Sequence, residues 1–288
     1  AGLTDRFPET VAVPTDTPTV DDLAAIAGAD VAVVVVGLTW EDEGEGIFAT
    51  SAADRESLAL PPAHEALVAQ VAATGVPVVV VLEGSGPLLI DAVAAQAGAV
   101  VMAWYPGQQG GVALADLLSG DADFAGRLPM AWPASESQLP PYDPSALSVT
   151  YGPLHGWRWI EARGGSPAYA FGHGLSYAAA AVAVDPLPRT WTLDAPLAVT
   201  GRIEGTETVQ VYLRPDDPDA LPAPRVLAGF VRASGAFRVE VDPRWIARWD
   251  DTAGVLGVAP GRWTVQVATS SNDVVTSAAV QLRAPDGR

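Results

Sequence analysis

Glu41, Asp42, Glu43 and Glu45 place four carboxylates within five consecutive positions, inside the run Trp40-Glu41-Asp42-Glu43-Gly44-Glu45-Gly46. Carboxylates this close repel one another, and the nearest arginine in the sequence is Arg55. Repulsion raises the pKa of the least solvated member, and a carboxyl that stays protonated near neutrality is what a general acid requires. A solvated acidic loop has the same composition and stands as the plain alternative. A calcium loop is a third reading, but the run does not follow the D-x-[DN]-x-[DN]-G pattern.

Other chemistries find less support. Gly84-Ser85-Gly86 lacks the third glycine of a dinucleotide fingerprint, because Leu89 stands there. It is not a G-x-S-x-G nucleophile elbow either, and Gly174-Leu175-Ser176-Tyr177-Ala178 ends in Ala after a loop. His64, His155 and His173 share no metal-ligand spacing, and His64 is expected on the exposed face of a helix. The chain has no cysteine, which removes thiol nucleophiles, disulfides and thiolate zinc sites. No cofactor and no metal are implied.

The acidic run needs elements to hold it. Val31 to Val36 precedes it as a Val-rich run of the kind buried in a parallel sheet. Thr19 suits the cap of a short helix before that strand, with Asp21 and Asp22 in its first turn. Pro61 and Pro62 suit the first turn of a helix whose Ala63, Leu67 and Val71 recur at helical spacing. Val76 to Leu82 is the next strand, Leu88 to Ala95 a helix, Ala99 to Trp104 a third strand, and a helix follows through Leu114, Leu117 and Leu118. This alternation predicts an open, mostly parallel sheet flanked by helices over residues 20–178, with the acidic run just past the C-terminal end of its first strand, where such sheets hold ligands. Residues 1–19 read as a connector from an upstream domain, and 179–189 as a linker. Over 190–288 the period shifts to two, in runs such as Glu207 to Leu213 and Trp263 to Val267, which predicts an all-β sandwich with Trp245, Trp249 and Trp263 in its core. Trp157 and Trp159 are read as packing residues.

Composition narrows the partners. Thirty-four acidic against 16 basic residues give a formal charge of −18, which opposes nucleic acid and anionic membrane surfaces. The longest apolar stretches fall far short of the ~20 residues that a spanning helix needs.

In order along the chain, Glu43-Gly44-Glu45-Gly46-Ile47, Ala53-Asp54-Arg55-Glu56-Ser57-Leu58-Ala59-Leu60-Pro61, Trp104-Tyr105-Pro106-Gly107-Gln108-Gln109-Gly110-Gly111 and Gly126-Arg127-Leu128-Pro129 resemble the second domain of glycoside hydrolase family 3. Gly156-Trp157-Arg158-Trp159 and Ala170-Phe171-Gly172-His173-Gly174-Leu175-Ser176-Tyr177 are similar to that domain's closing segment. Thr208-Val209-Gln210-Val211-Tyr212, Leu227-Ala228-Gly229-Phe230 and Thr269-Ser270-Ser271-Asn272-Asp273 resemble the fibronectin III-like domain that follows it in many β-glucosidases of the family.

The resemblance implies a retaining β-glycosidase, in the first place a β-glucosidase, in which a (β/α)8 barrel supplies an Asp nucleophile and the α/β domain supplies the acid/base. Against the family's S-G-E-G-Y pattern the acid/base matches Glu45, and Glu43 is the reserve. The resemblance implies Ile47, with Phe48 next to it, at the substrate, a β-glucoside or related oligosaccharide, and Trp40 is a candidate there because an aromatic face suits a pyranose ring. No sequence here resembles the family's nucleophile motif, so the barrel is expected as a partner in cis or as a separate chain, and these residues alone are expected to be inactive. The resemblance favours an extracellular or periplasmic site. A non-catalytic carbohydrate-binding or scaffolding module is the alternative, favoured if the sandwich carries an exposed aromatic platform; a serine esterase is a third.

Overall fold

A computed structural model of the chain describes residues 2–39, 42–43, 55, 57–141, 143, 146–252 and 254–284. It divides into two compact units, one of Ala1–Asp123 with Ala134–Glu136 and Tyr142–Ala146, the other of Phe124–Pro133, Ser137–Pro141 and Leu147–Arg288.

In the first unit the Val-rich runs become the parallel strands β1 (Ala32–Gly37), β2 (Val78–Glu83) and β3 (Ala99–Met102), adjacent in that order. Val34 lies opposite Val80 and Val36 opposite Leu82, and all four are buried. Each such side chain contributes roughly 1.5–3 kcal/mol when fully covered. Parallel neighbours require crossovers. Helix α3 (Pro62–Ala72) carries the chain from β1 to β2, α4 (Asp91–Ala94) from β2 to β3, and α5 (Gly110–Ser119) follows β3. Ahead of β1 lie α1 (Gly2–Arg6) and α2 (Val20–Ala27).

Local chemistry explains where the helices begin. Thr19 and Asp22 form a reciprocal capping box on α2. Pro62 opens α3, where its missing N–H has no role to fill. Three expectations need correcting. The buried face of α3 is formed by Val68 and Val71, and Ala63 is exposed. The helix after β2 is a single turn, because Leu88 and Ile90 are buried ahead of it and Leu89 between them bridges to Ala59. The N-terminal residues are not all connector: α1 lies so close to α5 that a Cβ on Gly2 would sit 2.0 Å from the Gly111 carbonyl oxygen, and Arg6 pairs with Asp121.

The second unit is the β-sandwich, built from β4 (Ala181–Val184), β5 (Thr190–Thr192), β6 (Leu197–Pro215), β7 (Val226–Val241), β10 (Gly261–Ser270) and β11 (Asp273–Arg283), with β8 (Arg248–Asp250) and β9 (Val255–Gly257) as a separate hairpin. β6 is the organising strand: Gly201–Glu204 pairs with β4, Gln210–Pro215 pairs with β10, and β7 runs along both stretches. Between the stretches the register shifts at Gly205, whose φ of +81° favours glycine. Trp263, Val265, Val267, Val209, Val211 and Leu213 alternate into the core.

Residues 147–177, which the sequence places with the α/β domain, group with the sandwich. Arg127 binds Glu207 through two hydrogen bonds of 3.0 and 2.8 Å. Trp157, at the start of α6 (Trp157–Ala162), stacks on Phe171 at 6.1 Å and meets Tyr212 edge-on at 5.5 Å, the packing role expected of it. Arg163 covers the face of Trp159. Of the three sandwich tryptophans, Trp263 is core as expected. Trp245 and Trp249 are 64% and 59% exposed, because Ile246 takes the inward position beside Trp245 and Trp249 sits on a hairpin outside the main sheet.

Candidate active site

Glu41 and Glu45 lie outside the described residues, as do Trp40, Ile47 and Phe48; Asp42 and Glu43 are described. The approach to the acidic run is fixed by contact between β1 and β2. At Gly37 an added Cβ would meet the Glu83 carbonyl oxygen at 1.8 Å, so the end of β1 closes on β2 only with glycine there. The Leu38 N–H donates to that same oxygen at 2.9 Å, and the Gly37 N–H donates to Nδ1 of His64 at 3.4 Å. His64 is therefore half-buried against β1 rather than on an exposed helix face, a correction set by tertiary packing.

Next comes a tight turn. The Asp42 carboxylate accepts from the Thr39 N–H at 2.7 Å and from its hydroxyl at 2.9 Å, while the N–H groups of Asp42 and Glu43 donate back to the Thr39 carbonyl. This side chain serves the turn.

Glu43 projects toward the ends of the other two strands. Its Oε1 accepts from the Ser85 hydroxyl at 2.6 Å and the Ser85 N–H at 3.3 Å, and its Oε2 accepts from the Tyr105 hydroxyl. Arg55 Nη1 lies 3.7 Å from Oε1, and Arg55 Nη2 donates to the Pro87 carbonyl at 3.1 Å. Burial on its own raises the Glu43 pKa. The Ser85 hydroxyl and Tyr105 bonds, then the Ser85 N–H and the charge of Arg55, outweigh it and hold the carboxyl below its ordinary value. Tyr105 moves the other way, pushed up to about 12, first by the partial loss of solvent around its hydroxyl and then by its bond to the Glu43 carboxylate. Arg55 thus pairs with Glu43; Asp54, beside it in the sequence, lies outside the described residues.

Residues 57–59 are held in turn. Glu136 accepts from the Ser57 hydroxyl at 2.7 Å and the Leu58 N–H at 2.6 Å, and the Leu89 N–H donates to the Leu58 carbonyl at 2.7 Å. The described part of the site is an ionised carboxylate clamped by groups from the loops after β1, β2 and β3. Ser85 and Tyr105 carry no motif that announces this. Each stands a few residues past the end of a strand, and Tyr105 lies in one of the family-like runs, but neither run assigns its residue to a carboxylate. Among the described residues, no group of three or more His, Asp or Glu side chains is placed to hold a metal ion. A cavity of about 760 Å³ in the sandwich unit is lined by Pro215, Pro218, Pro222 and Pro224 with Arg214 and Asp216, a lining without the paired carboxyls of hydrolytic chemistry.

A parallel α/β sheet with the Glu43 carboxylate clamped past its strand ends, followed by a β-sandwich, defines the class of protein. Residues 1–177 match the glycosyl hydrolase family 3 C-terminal domain, and residues 207–271 match the fibronectin type III-like domain. The chain belongs to glycoside hydrolase family 3. It is 32% identical over 273 residues to an exo-α-(1→6)-L-arabinopyranosidase of Bifidobacterium longum, covering 88% of this chain and 35% of that protein. It is 30% identical over 276 residues to a protein named "Probable beta-glucosidase H" from Aspergillus clavatus, covering 88% and 32%. Among solved structures, a β-glucosidase from Streptomyces venezuelae in complex with D-glucose is similar at a TM-score of 0.78 and 29% identity, over 91% of this chain and 35% of that one. The chain thus spans about a third of the length of these relatives.

Proposed function

We propose that this chain supplies the general acid/base of a retaining β-glycosidase acting on terminal β-linked sugars such as β-glucosides, with Glu45 in that role. The Asp nucleophile belongs to a (β/α)8 barrel outside these residues, in the same protein or a separate chain. In the first step the Asp carboxylate attacks the anomeric carbon while Glu45 gives its proton to the departing glycosidic oxygen. In the second, Glu45 takes a proton from water, whose oxygen attacks the same carbon and frees the Asp. The two carboxyls must stand roughly 5–5.5 Å apart. Trp40, Ile47 and Phe48 are the neighbours proposed to face the sugar.

The observation that carries the choice of carboxyl is the environment of Glu43. Both of its oxygens are occupied by donors, and its pKa is lowered, which suits a fixed anion and not a proton donor. That leaves Glu45 as the Glu-Gly carboxyl of the family pattern. The names of the relatives span an arabinopyranosidase and glucosidases, so the sugar is an outcome to be measured.

The test is to assay the purified chain on aryl β-glucoside and β-xyloside, alone and after adding a separately made family 3 barrel. No turnover alone and turnover with the barrel is expected. A general acid without a nucleophile contributes only ~10²–10⁴-fold. Turnover by the chain alone, abolished by replacing one of its own carboxyls, refutes the half-site reading.

The exposure of Trp245 and Trp249 favours a second activity, carbohydrate binding on the sandwich by stacking on pyranose rings. Retardation in polysaccharide-containing gels, lost in Trp245→Ala/Trp249→Ala, is the check.

A further inference from the structure

We infer that Tyr105 is a positioning residue of this site: the left-handed backbone at Trp104 aims its hydroxyl at Glu43, and Tyr105 and Ser85 together make Glu43 a fixed strut between the loops that follow the three strands. The consequence for catalysis rests on the reading above, since it is the acidic loop that the strut holds in place; the strut itself does not depend on that reading.

Trp104 has φ +56°, and among the described residues it is the one residue other than glycine with positive φ. A bulky side chain is rarely found there because its Cβ crowds the following carbonyl. Such backbone persists where surrounding contacts enforce it, and it gathers at sites where a side chain must be aimed. The contacts are visible here. The Trp104 carbonyl accepts from the Gly84 N–H at 3.4 Å, which ties the end of β3 to the end of β2. One residue on, Tyr105 is 53% exposed and donates its hydroxyl to Glu43 Oε2. A tyrosine that half-exposed is not placed there for core packing, so the hydrogen bond is the feature that the turn secures. Gly84 and Ser85 belong to the loop after β2, so the bond that braces Trp104 and the two bonds that Ser85 gives Glu43 come from neighbouring residues.

The strut works because charge and donors match. A carboxylate that accepts three hydrogen bonds with a guanidinium nearby binds each donor more strongly than a neutral acid would. Among the described residues, the charged or titratable groups acting on Tyr105 are Glu43, Asp42 and Arg55, and those acting on Glu43 are Tyr105 and Arg55. The proton therefore stays on Tyr105, and Glu43 stays ionised.

The experiment has two arms. In the first, the whole chain carrying ring-labelled tyrosine is titrated by NMR, with Tyr105→Phe identifying the resonance. At pH 11 an ordinary tyrosine, with a pKa of ~10, is about nine-tenths ionised. Tyr105 is expected to remain mostly protonated at that pH, and Glu43→Gln is expected to return it to the ordinary range. An ordinary titration in the unsubstituted chain, or no response to Glu43→Gln, overturns the inference whatever the catalytic acid proves to be. In the second arm, Tyr105→Phe and Ser85→Ala are assayed in the barrel-complemented enzyme. Each is expected to lower kcat roughly tenfold with KM little changed and with the melting temperature of the chain preserved. An unchanged kcat in both variants overturns the positioning role. If Glu45 is then found not to be the acid while the first arm holds, the strut stands and the catalytic assignment alone falls.

Discussion

Replacing Glu161 by Gln should be among the most damaging single changes in the sandwich unit. Arg225 is only 6% exposed, and its Nε donates to both Glu161 oxygens at 3.0 Å while Nη2 donates to Oε2 at 3.0 Å. The guanidinium also reaches Gln266 Oε1 at 3.1 Å and the Ser271 carbonyl, and it lies 4.6 Å over the Tyr212 ring. Breaking a fully buried ion pair costs ~3–5 kcal/mol, because the remaining charge is left without a counterion. Glu161 keeps 32% of its side chain in solvent, and Gln266 and Ser271 stay in place, so the cost is reduced to about 2–3 kcal/mol. For a unit of this size that lowers its melting temperature by about 4–12 °C. The transition of the sandwich unit should be followed by tryptophan near-UV circular dichroism in Glu161→Gln, Arg225→Met and the double variant. The double variant should lose clearly less than the sum of the singles, since removing both charges leaves neither unpaired. A Glu161→Gln shift under about 1 °C, or strict additivity, refutes the account of Arg225 as a paired buried cation.

Truncation after Tyr177 should unfold residues 124–133, 137–141 and 147–177 along with the lost sandwich, because it removes Glu207 from Arg127 and Tyr212 from Trp157; limited proteolysis of the truncate should cut freely there, and protection equal to that of the whole chain would contradict the grouping. The Glu43 carboxyl, held below its ordinary value of 4.5, contributes stability that is present above that value and is lost as pH falls through the folded pKa. Glu43→Gln should therefore flatten part of the acid limb of stability against pH. An acid limb of unchanged slope would mean that the carboxylate is not held as described.

What the sequence made legible is what short stretches of chain decide. The Thr19 cap, the Pro62 helix start and the Val-rich strands depend on neighbours within a few residues, and they fold where their chemistry directs. Contacts across long separations were not legible. Ser85 and Tyr105 meet Glu43 over 42 and 62 positions, and the runs in which they stand do not name that partner. His64 looks like a surface residue until β1 closes over it, and Trp245 looks like core until Ile246 takes the inward place. Leu88 to Ile90 reads as helix by spacing, but the bridge of Leu89 to Ala59 draws it out of the helix. The order of motifs carried the family where periodicity carried only the fold class, since many unrelated functions share an open α/β sheet.

The central claim, that the acid/base carboxyl of this chain is Glu45 and that Glu43 is its fixed neighbour, is tested most directly by azide rescue in the barrel-complemented enzyme. Glu45→Ala should suppress hydrolysis of glycosides with poor leaving groups far more than of activated aryl glycosides, and azide should restore part of the rate by attacking the glycosyl-enzyme without help from a base. Glu43→Ala should lower turnover without azide rescue. If Glu43→Ala is rescued by azide and Glu45→Ala is not, the acid/base lies two residues upstream and the assignment is wrong.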